Sequence, residues 1–396
     1  MAFFKKKIAE IDMSDFDQAV RELSRRHAPK DAAIVDGPGD TLNIGDHIAY
    51  LHNLRLKWHE HEPADREPWL DGVLQGIYRD ANTPPQLHLA QLRAGVRSRA
   101  TLETISLQGG QEGGLPTSST MPTAPIAADL VWCLIADSPT TMQIATTDQV
   151  AENGRSFEEL LQIGKDNLAA DSVQAWECVG DLLFVPVGED DYAGARLLLP
   201  GALDGLPISG EKVVFQPTRR RCLVADAGNS EGLRIAAELA LSLKDEADPV
   251  SLTPIIGDTD NWRPLELSYT HPAFEAVHKL IVVDLASGYA TQQAVLNTHL
   301  DDELFVATYS AKQTSNGEIF SMCTWSEDVD TLLPRTDIVA FFQNPEIPVF
   351  LVPWKAVEEI CGHRLEPTNH YPARVRVLDF PDPPELEQLR AERIEL

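Results

Sequence analysis

A chain of 396 residues is longer than one ordinary core and predicts two or three domains at about 150 residues each, while a composition 43% hydrophobic and 24% charged excludes fibrous and disordered classes. Sixty-one acidic against 33 basic residues give a formal charge of -28, a field that repels phosphate backbones and anionic lipid and argues against nucleic acid as a partner. Five widely spaced cysteines without a CxxC pair exclude a disulfide framework and a zinc knuckle, and predict reduced thiols in a cytoplasmic protein.

The start, MAFFKKKIAEI, has charges but no apolar stretch after them and so does not read as a secretory signal; its phenylalanines beside Lys5 to Lys7 leave contact with a membrane surface open. No apolar run approaches the ~20 residues of a membrane helix, so no membrane span is expected. Ser14 to His27 predicts an amphipathic helix with Phe16, Ala19, Val20 and Leu23 on one face. Residues 28–45, rich in glycine and proline, read as a linker or ordered loop. Ile48, Leu51, Leu54 and Trp58, then Trp69 to Arg79, predict an antiparallel helical pair. His52, His59 and His61 beside Glu60 and Glu62 resemble a metal cluster, but helix positions two apart face different ways, which favours a solvated helix end. Gln91 to Leu107, carrying Arg93, Arg97 and Arg99, reads as extended. Residues 109–125 read as a flexible surface insert, with no GxxxxGK[ST] to cradle a phosphate.

From Asp129 to Leu265 the chain predicts an α+β unit. Strands are expected at Leu130 to Ala136 and Met142 to Thr146, and Ser156 with Glu159 forms a capping box ahead of a helix. Leu182 to Val187 and Ala195 to Leu199 read as two strands joined by an acidic turn. Lys212 to Gln216 and Cys222 to Ala225 read as a hairpin, and Glu231 to Glu246 as a helix with Leu233, Ala236 and Ala240 on one face. The order and spacing of SRATLE (98–103), LVWCLIADSP (130–139), SFEELLQIGKDNL, DDYAGARLLLP and VFQPTRRRCLVAD, then a helix followed by PVSLTPII, resembles the bacterial YtpQ-like family over about residues 45–265. That family is a domain of unknown function, so the resemblance implies no reaction or ligand for particular residues. The glycine-rich insert and a long C-terminal extension depart from it.

The extension predicts a second α+β domain. Strands are expected at Leu280 to Leu285, Glu303 to Ser310, Glu318 to Thr324, Ile338 to Phe342, Val349 to Val352 and Val375 to Leu378, with Asn316 and Gly317 at hairpin spacing. Helices are expected at Thr291 to Leu300 and Lys355 to Cys361, and the tail from Pro383 as a charged terminal helix. FSMCTWSEDVDTL is similar to SseB-like modules. The whole is therefore expected as α+β, two mixed or antiparallel sheet domains with flanking helices: 1–44 an N-terminal helix and linker, 45–265 the YtpQ-like domain, and 266–396 the C-terminal domain.

Two polar groups stand out. Asp190 and Asp191 with Arg196, near Asp181 and Tyr192, are the densest cluster: adjacent carboxylates hold a hard cation or share a proton when buried together, and otherwise make a solubilising turn. Arg219, Arg220 and Arg221 either pair with those carboxylates or bind an acidic peptide or phosphate. No GxSxG is present, and Cys361 and His363 are too close in sequence for a separated dyad. These readings favour a non-enzymatic protein-binding or accessory module without a cofactor, acting through edge strands or through Arg219 to Arg221. The rival is a metal-dependent hydrolase centred on Asp190, Asp191 and Arg196.

Overall fold

The computed structural model describes residues 14–28, 32–37, 41–44, 47–82, 86–108, 120–137, 142–171, 175–188, 190–258, 261–300, 304–377 and 379–395. Lys5 to Lys7, Glu189, the side chain of His52 and most of the 109–125 insert lie outside the described residues. The chain divides into two compact units, one of residues 1–91, 136–143 and 246–248, the other of 92–135, 144–245 and 249–396. The boundary expected at residues 265–266 thus falls inside the second unit.

In the first unit, α1 (Ser14–His27) buries Phe16, Ala19, Val20 and Leu23, as their helical spacing predicts. They pack with Leu42, Leu51, Trp58, Leu70 and Leu74, Phe16 meeting Trp58 edge to face at 5.8 Å. The expected linker, residues 28–45, instead holds β1 (Ile34–Gly37) and β2 (Thr41–Ile44), and β3 (His47–Tyr50) extends this antiparallel meander and takes Ile48 out of the expected helix. Strands of four residues carry too short a pattern to stand out among the glycines and prolines that suggested a loop. The helical pair follows as α2 (Leu51–Glu60) and α3 (Arg66–Asn82). His59 and His61 have different surroundings: the His61 ring lies tilted against Trp69 at 4.8 Å, while burial, then Arg66 and Arg55, lower the pKa of His59.

The second unit opens with β4 (Leu92–Ser98), α4 (Arg99–Gln108), β5 (Thr123–Ala127) and β6 (Leu130–Asp137, whose last two residues fall in the first unit), the strands forming a small sheet in the order β4-β6-β5; Met142 and Gln143 of β7 (Met142–Ile144) fall in the first unit. The stretch expected to be extended through Leu107 is thus strand only to Ser98. Helices α5 (Thr147–Asn153) and α6 (Phe157–Asp171) follow, α6 held at its start by the predicted box, in which Glu159 N–H donates to Ser156 Oγ and Ser156 N–H to Glu159 Oε2.

Next comes a six-stranded antiparallel sheet in the order β13-β12-β10-β11-β9-β8, built from β8 (Trp176–Val179), β9 (Leu183–Pro186), β10 (Lys212–Thr218), β11 (Leu223–Asp226), β12 (Pro249–Gly257) and β13 (Arg263–Pro264). Here β9 pairs backwards, with β8. The expected second strand of the acidic hairpin is a short helix, α7 (Ala193–Leu197). Ala, Arg and Leu are strong helix formers, and the Asp190 side chain accepts from Tyr192 N–H to turn the chain into it. Helix α8 (Ser230–Ser242) covers the sheet with Leu233, Ala236 and Ala240.

Helix α9 (Phe274–His299) is the longest element, and Leu280 to Leu285, expected as a strand, is its middle. An apolar run of six residues does not distinguish a strand from a helix covered on several sides. Val277 and Leu280 close the core of the six-stranded sheet, while Tyr289, Val295 and Leu296 serve the C-terminal layers. Those layers comprise β14 (Phe305–Val306), β15 (Ser310–Gln313), β16 (Ile319–Ser326), β17 (Thr331–Pro334), β18 (Ile338–Phe342), β19 (Phe350–Pro353), α10 (Trp354–Cys361), β20 (Glu366–Pro367), β21 (Arg374–Val377) and α11 (Pro383–Ala391). They form two mixed sheets, β14-β17-β21-β20 and β15-β16-β18-β19, and the Asn316-Gly317 turn joins β15 to β16 as its spacing predicts. The fold is α+β.

Candidate functional site

The two polar groups singled out in the sequence are one cluster. Asp190 receives Arg196 Nε at 2.5 Å, and Arg196, buried on α7, also donates through Nη1 to the Leu168 carbonyl of α6. Asp191 receives Arg220 Nε at 2.7 Å, with Arg219 Nη2 at 3.8 Å, both reaching back from the β10–β11 turn. Arg221 secures that turn by donating its backbone N–H to Thr218 Oγ1. Gly194 on α7 lies so close to β10 that a Cβ there would sit 1.7 Å from Gln216 Nε2. Asp181 does not join the cluster: with Gly180 it adopts left-handed φ (56° and 61°) in the β8–β9 turn. The two carboxylates face different guanidinium groups, so they do not converge on one ion. Among the described residues no group of three or more metal-type side chains comes together. The arrangement pins α7 to α6 and to the β10–β11 turn.

A second polar centre, which sequence reasoning missed, is more deeply enclosed. Asp129, on the β5–β6 turn, closes the start of α4: its carbonyl accepts Arg99 N–H at 2.7 Å and its Oδ1 accepts Ala100 N–H at 2.9 Å. Burial, reinforced by the charge of Asp284, pushes its pKa up to about 8, against the weaker pull of Ser98, Ala100 and Arg99. Asp284 projects from α9 to β12, where the register shifts between Val214 and Gln216 of β10. There it accepts Thr253 N–H, Thr253 Oγ1 and Ser251 Oγ at 2.8 to 3.0 Å, and burial raises its pKa too. Tyr371 completes the centre, its ring under the Arg99 guanidinium at 4.6 Å and its N–H on Glu103 Oε1. Burial, then Asp129 and Asp284, raise the pKa of its phenol. One signal was available: Asp284 is the single acidic residue in the apolar run from Leu280 to Leu285.

Among the described residues a serine, a histidine and a carboxylate meet at Ser321, His278 and Asp337. Ser321 Oγ donates to Asp337 Oδ2 at 2.8 Å, and His278 Nε2 lies 3.3 Å from the same oxygen. Serine and histidine therefore meet on the carboxylate, where the usual order places histidine between the other two. Burial would raise the Asp337 pKa, but His278 and Ser321 hold it below the usual range. Cys133, Cys222, Cys323 and Cys361 are buried, and desolvation raises every one of these thiols, Cys323 and Cys361 to about 12.

Sheet edges are the remaining feature. In the six-stranded sheet, β13 ends on Pro264; in the C-terminal sheets β20 ends on Pro367, β15 carries Lys312, β14 is two residues long, and Ile394 bridges Leu351 on β19. Each is a device against edge pairing. Strand β8 has neither Pro nor Lys, and Glu177, Cys178 and Val179 are exposed. Its register with β9, and the bond from Val187 N–H to the Ala175 carbonyl, turn the N–H and C=O of Trp176 and Cys178 away from β9. No strand among the described residues pairs with that side.

No family model matches this chain, and no curated protein or solved structure matches it. Among the described residues no helix is long and apolar enough to cross a membrane.

Proposed function

We propose that the chain is a non-enzymatic, cytoplasmic protein-binding module that takes an extended segment of a partner as an added strand on β8. The observation that supports this reading is the open edge of β8, which carries neither Pro nor Lys, in a unit whose other edges in the same and the C-terminal sheets end on Pro, carry Lys, are two residues long or are bridged. Strand addition uses backbone groups for affinity and alternate side chains for selection. Four outward groups at about 0.5 to 1.5 kcal/mol each suit a transient partner. The rival hydrolase centred on Asp190, Asp191 and Arg196 loses support because its carboxylates are occupied by arginines.

The test uses Cys178, the exposed thiol among four buried ones. A photoreactive probe attached there is expected to cross-link one main partner from cell extract. Trp176→Pro, which removes an outward N–H while leaving the β9 ladder intact, is expected to abolish the product. Equal cross-linking by a folded Trp176→Pro variant would end the reading.

A further inference from the structure

We infer that the segment received by β8 is cationic: an extended strand with Lys or Arg along the side that faces Glu177, and apolar residues along the side that faces Trp176 and Cys178. This inference rests on the edge-docking reading and adds the partner's chemistry to it. Its first ground is local charge. Residues 171–191 contain Asp171, Glu177, Asp181, Glu189, Asp190 and Asp191 and neither Lys nor Arg. Asp171, Asp190 and Asp191 are neutralised by Arg93, Arg196 and Arg220. Glu177 and Asp181 are exposed, and no ion pair reaches them among the described residues. The strand's own field is therefore negative along its open side, within a chain of charge -28.

The second ground is register. Cross-strand neighbours share a face, so Glu177 and Val179 lie with Val185 and Leu183, while Trp176 and Cys178 lie with Pro186 and Phe184. A partner alternating cationic and apolar residues satisfies both faces at once. A lysine opposite Glu177 forms a cross-strand ion pair, the stem of the next covers Val179, and the apolar residues cover Trp176 and Cys178. A second copy of this chain does not fit. Antiparallel pairing of two β8 edges through their outward residues sets Trp176 against Cys178 and Glu177 against Glu177, with like charges directly opposed.

Binding of dye-labelled peptides to the full chain, read by fluorescence anisotropy, tests this. The probes are a Lys-Val alternating peptide, its Glu-Val counterpart and a Thr-Val neutral control. The Lys-Val peptide is expected to bind with an affinity that weakens as salt is raised, and the Glu-Val peptide not to bind. Glu177→Lys is expected to weaken the Lys-Val peptide about tenfold and to admit the Glu-Val peptide. Equal binding of Lys-Val and Thr-Val peptides, or an unchanged affinity in Glu177→Lys, would overturn the cationic partner while leaving the edge in place. Undiminished Lys-Val binding in both Trp176→Pro and Cys178→Pro, each checked for folding by circular dichroism, would remove the edge itself and leave diffuse attraction to an acidic surface. Failure of every peptide to bind would also overturn the inference.

Discussion

Asp129 carries its proton where most carboxyls have lost theirs, and stability should follow. A folded-state pKa raised from 3.8 to about 8 means that the native state holds the proton more tightly than the unfolded chain. The stabilisation is complete below the unfolded pKa and is lost as pH rises through 8, each pH unit within that window costing at most about 1.4 kcal/mol. Melting temperature is therefore expected to fall between pH 5 and pH 9. Asp129→Asn keeps an acceptor for Ala100 N–H and loses the titration, so its profile should be flatter; parallel profiles for the two proteins would refute the assignment. The arginine cluster makes a second contrast. Arg196 is buried, and Arg196→Ala takes a charged donor from Asp190 and from the Leu168 carbonyl, at a cost of about 1.5 to 3 kcal/mol. Asp191 and Arg220 are each about one-third exposed, so Asp191→Asn should cost no more than about 1 kcal/mol. Chemical denaturation gives both values, and the reverse order would place the structural weight on Asp191.

At the level of elements, Asp284 ties α9 to β12. The register shift releases Thr253 N–H from the ladder, and the carboxylate takes it up. Asp284→Ala should cost about 1 to 3 kcal/mol by taking the acceptor from the Ser251 and Thr253 hydroxyls and leaving Thr253 N–H with Ser251 Oγ alone, while Asp284→Asn, still an acceptor, should cost less. Matching losses from the two would mean that the charge, not the acceptor, matters. Local signals explain what could be read in advance. The Ser156–Glu159 box, the β10–β11 hairpin and the Asn316-Gly317 turn are each specified within a few residues, and all form. The errors arose where context decides. Leu280 to Leu285 is apolar because several layers cover α9; Ala195 to Leu199 is apolar because α7 is buried; the 28–45 stretch holds strands too short to stand out among its glycines and prolines. The site follows the same rule. That Asp190, Asp191 and the 219–221 arginines belong together was among the readings the sequence allowed, whereas Asp129 and Asp284 are 155 residues apart and no spacing rule connects them.

For the molecule as a whole, α9 lies beyond the division expected near residue 265 and shares a core with the strands before it. Ala273, Val277 and Leu280 belong to one core with Val213, Phe215 and Leu233. Limited proteolysis should therefore give no stable fragment beginning at 266–271, because such a piece would expose that face of α9 and strip part of the cover from the six-stranded sheet. Recovery of a folded fragment with that start would restore the two-domain division.

The same helix sets a schedule for the growing chain. All six strands of the large sheet have been made once Pro264 is added, but part of the cover over their apolar face arrives only with α9, and the far side of α9 stays bare until the last strands follow. At about 5 to 20 residues per second, residues 265–396 take roughly 7 to 26 seconds to synthesise. Through the first part of that interval, until α9 has emerged, the nascent chain carries its large sheet with part of an apolar face bare, a surface that chaperones bind.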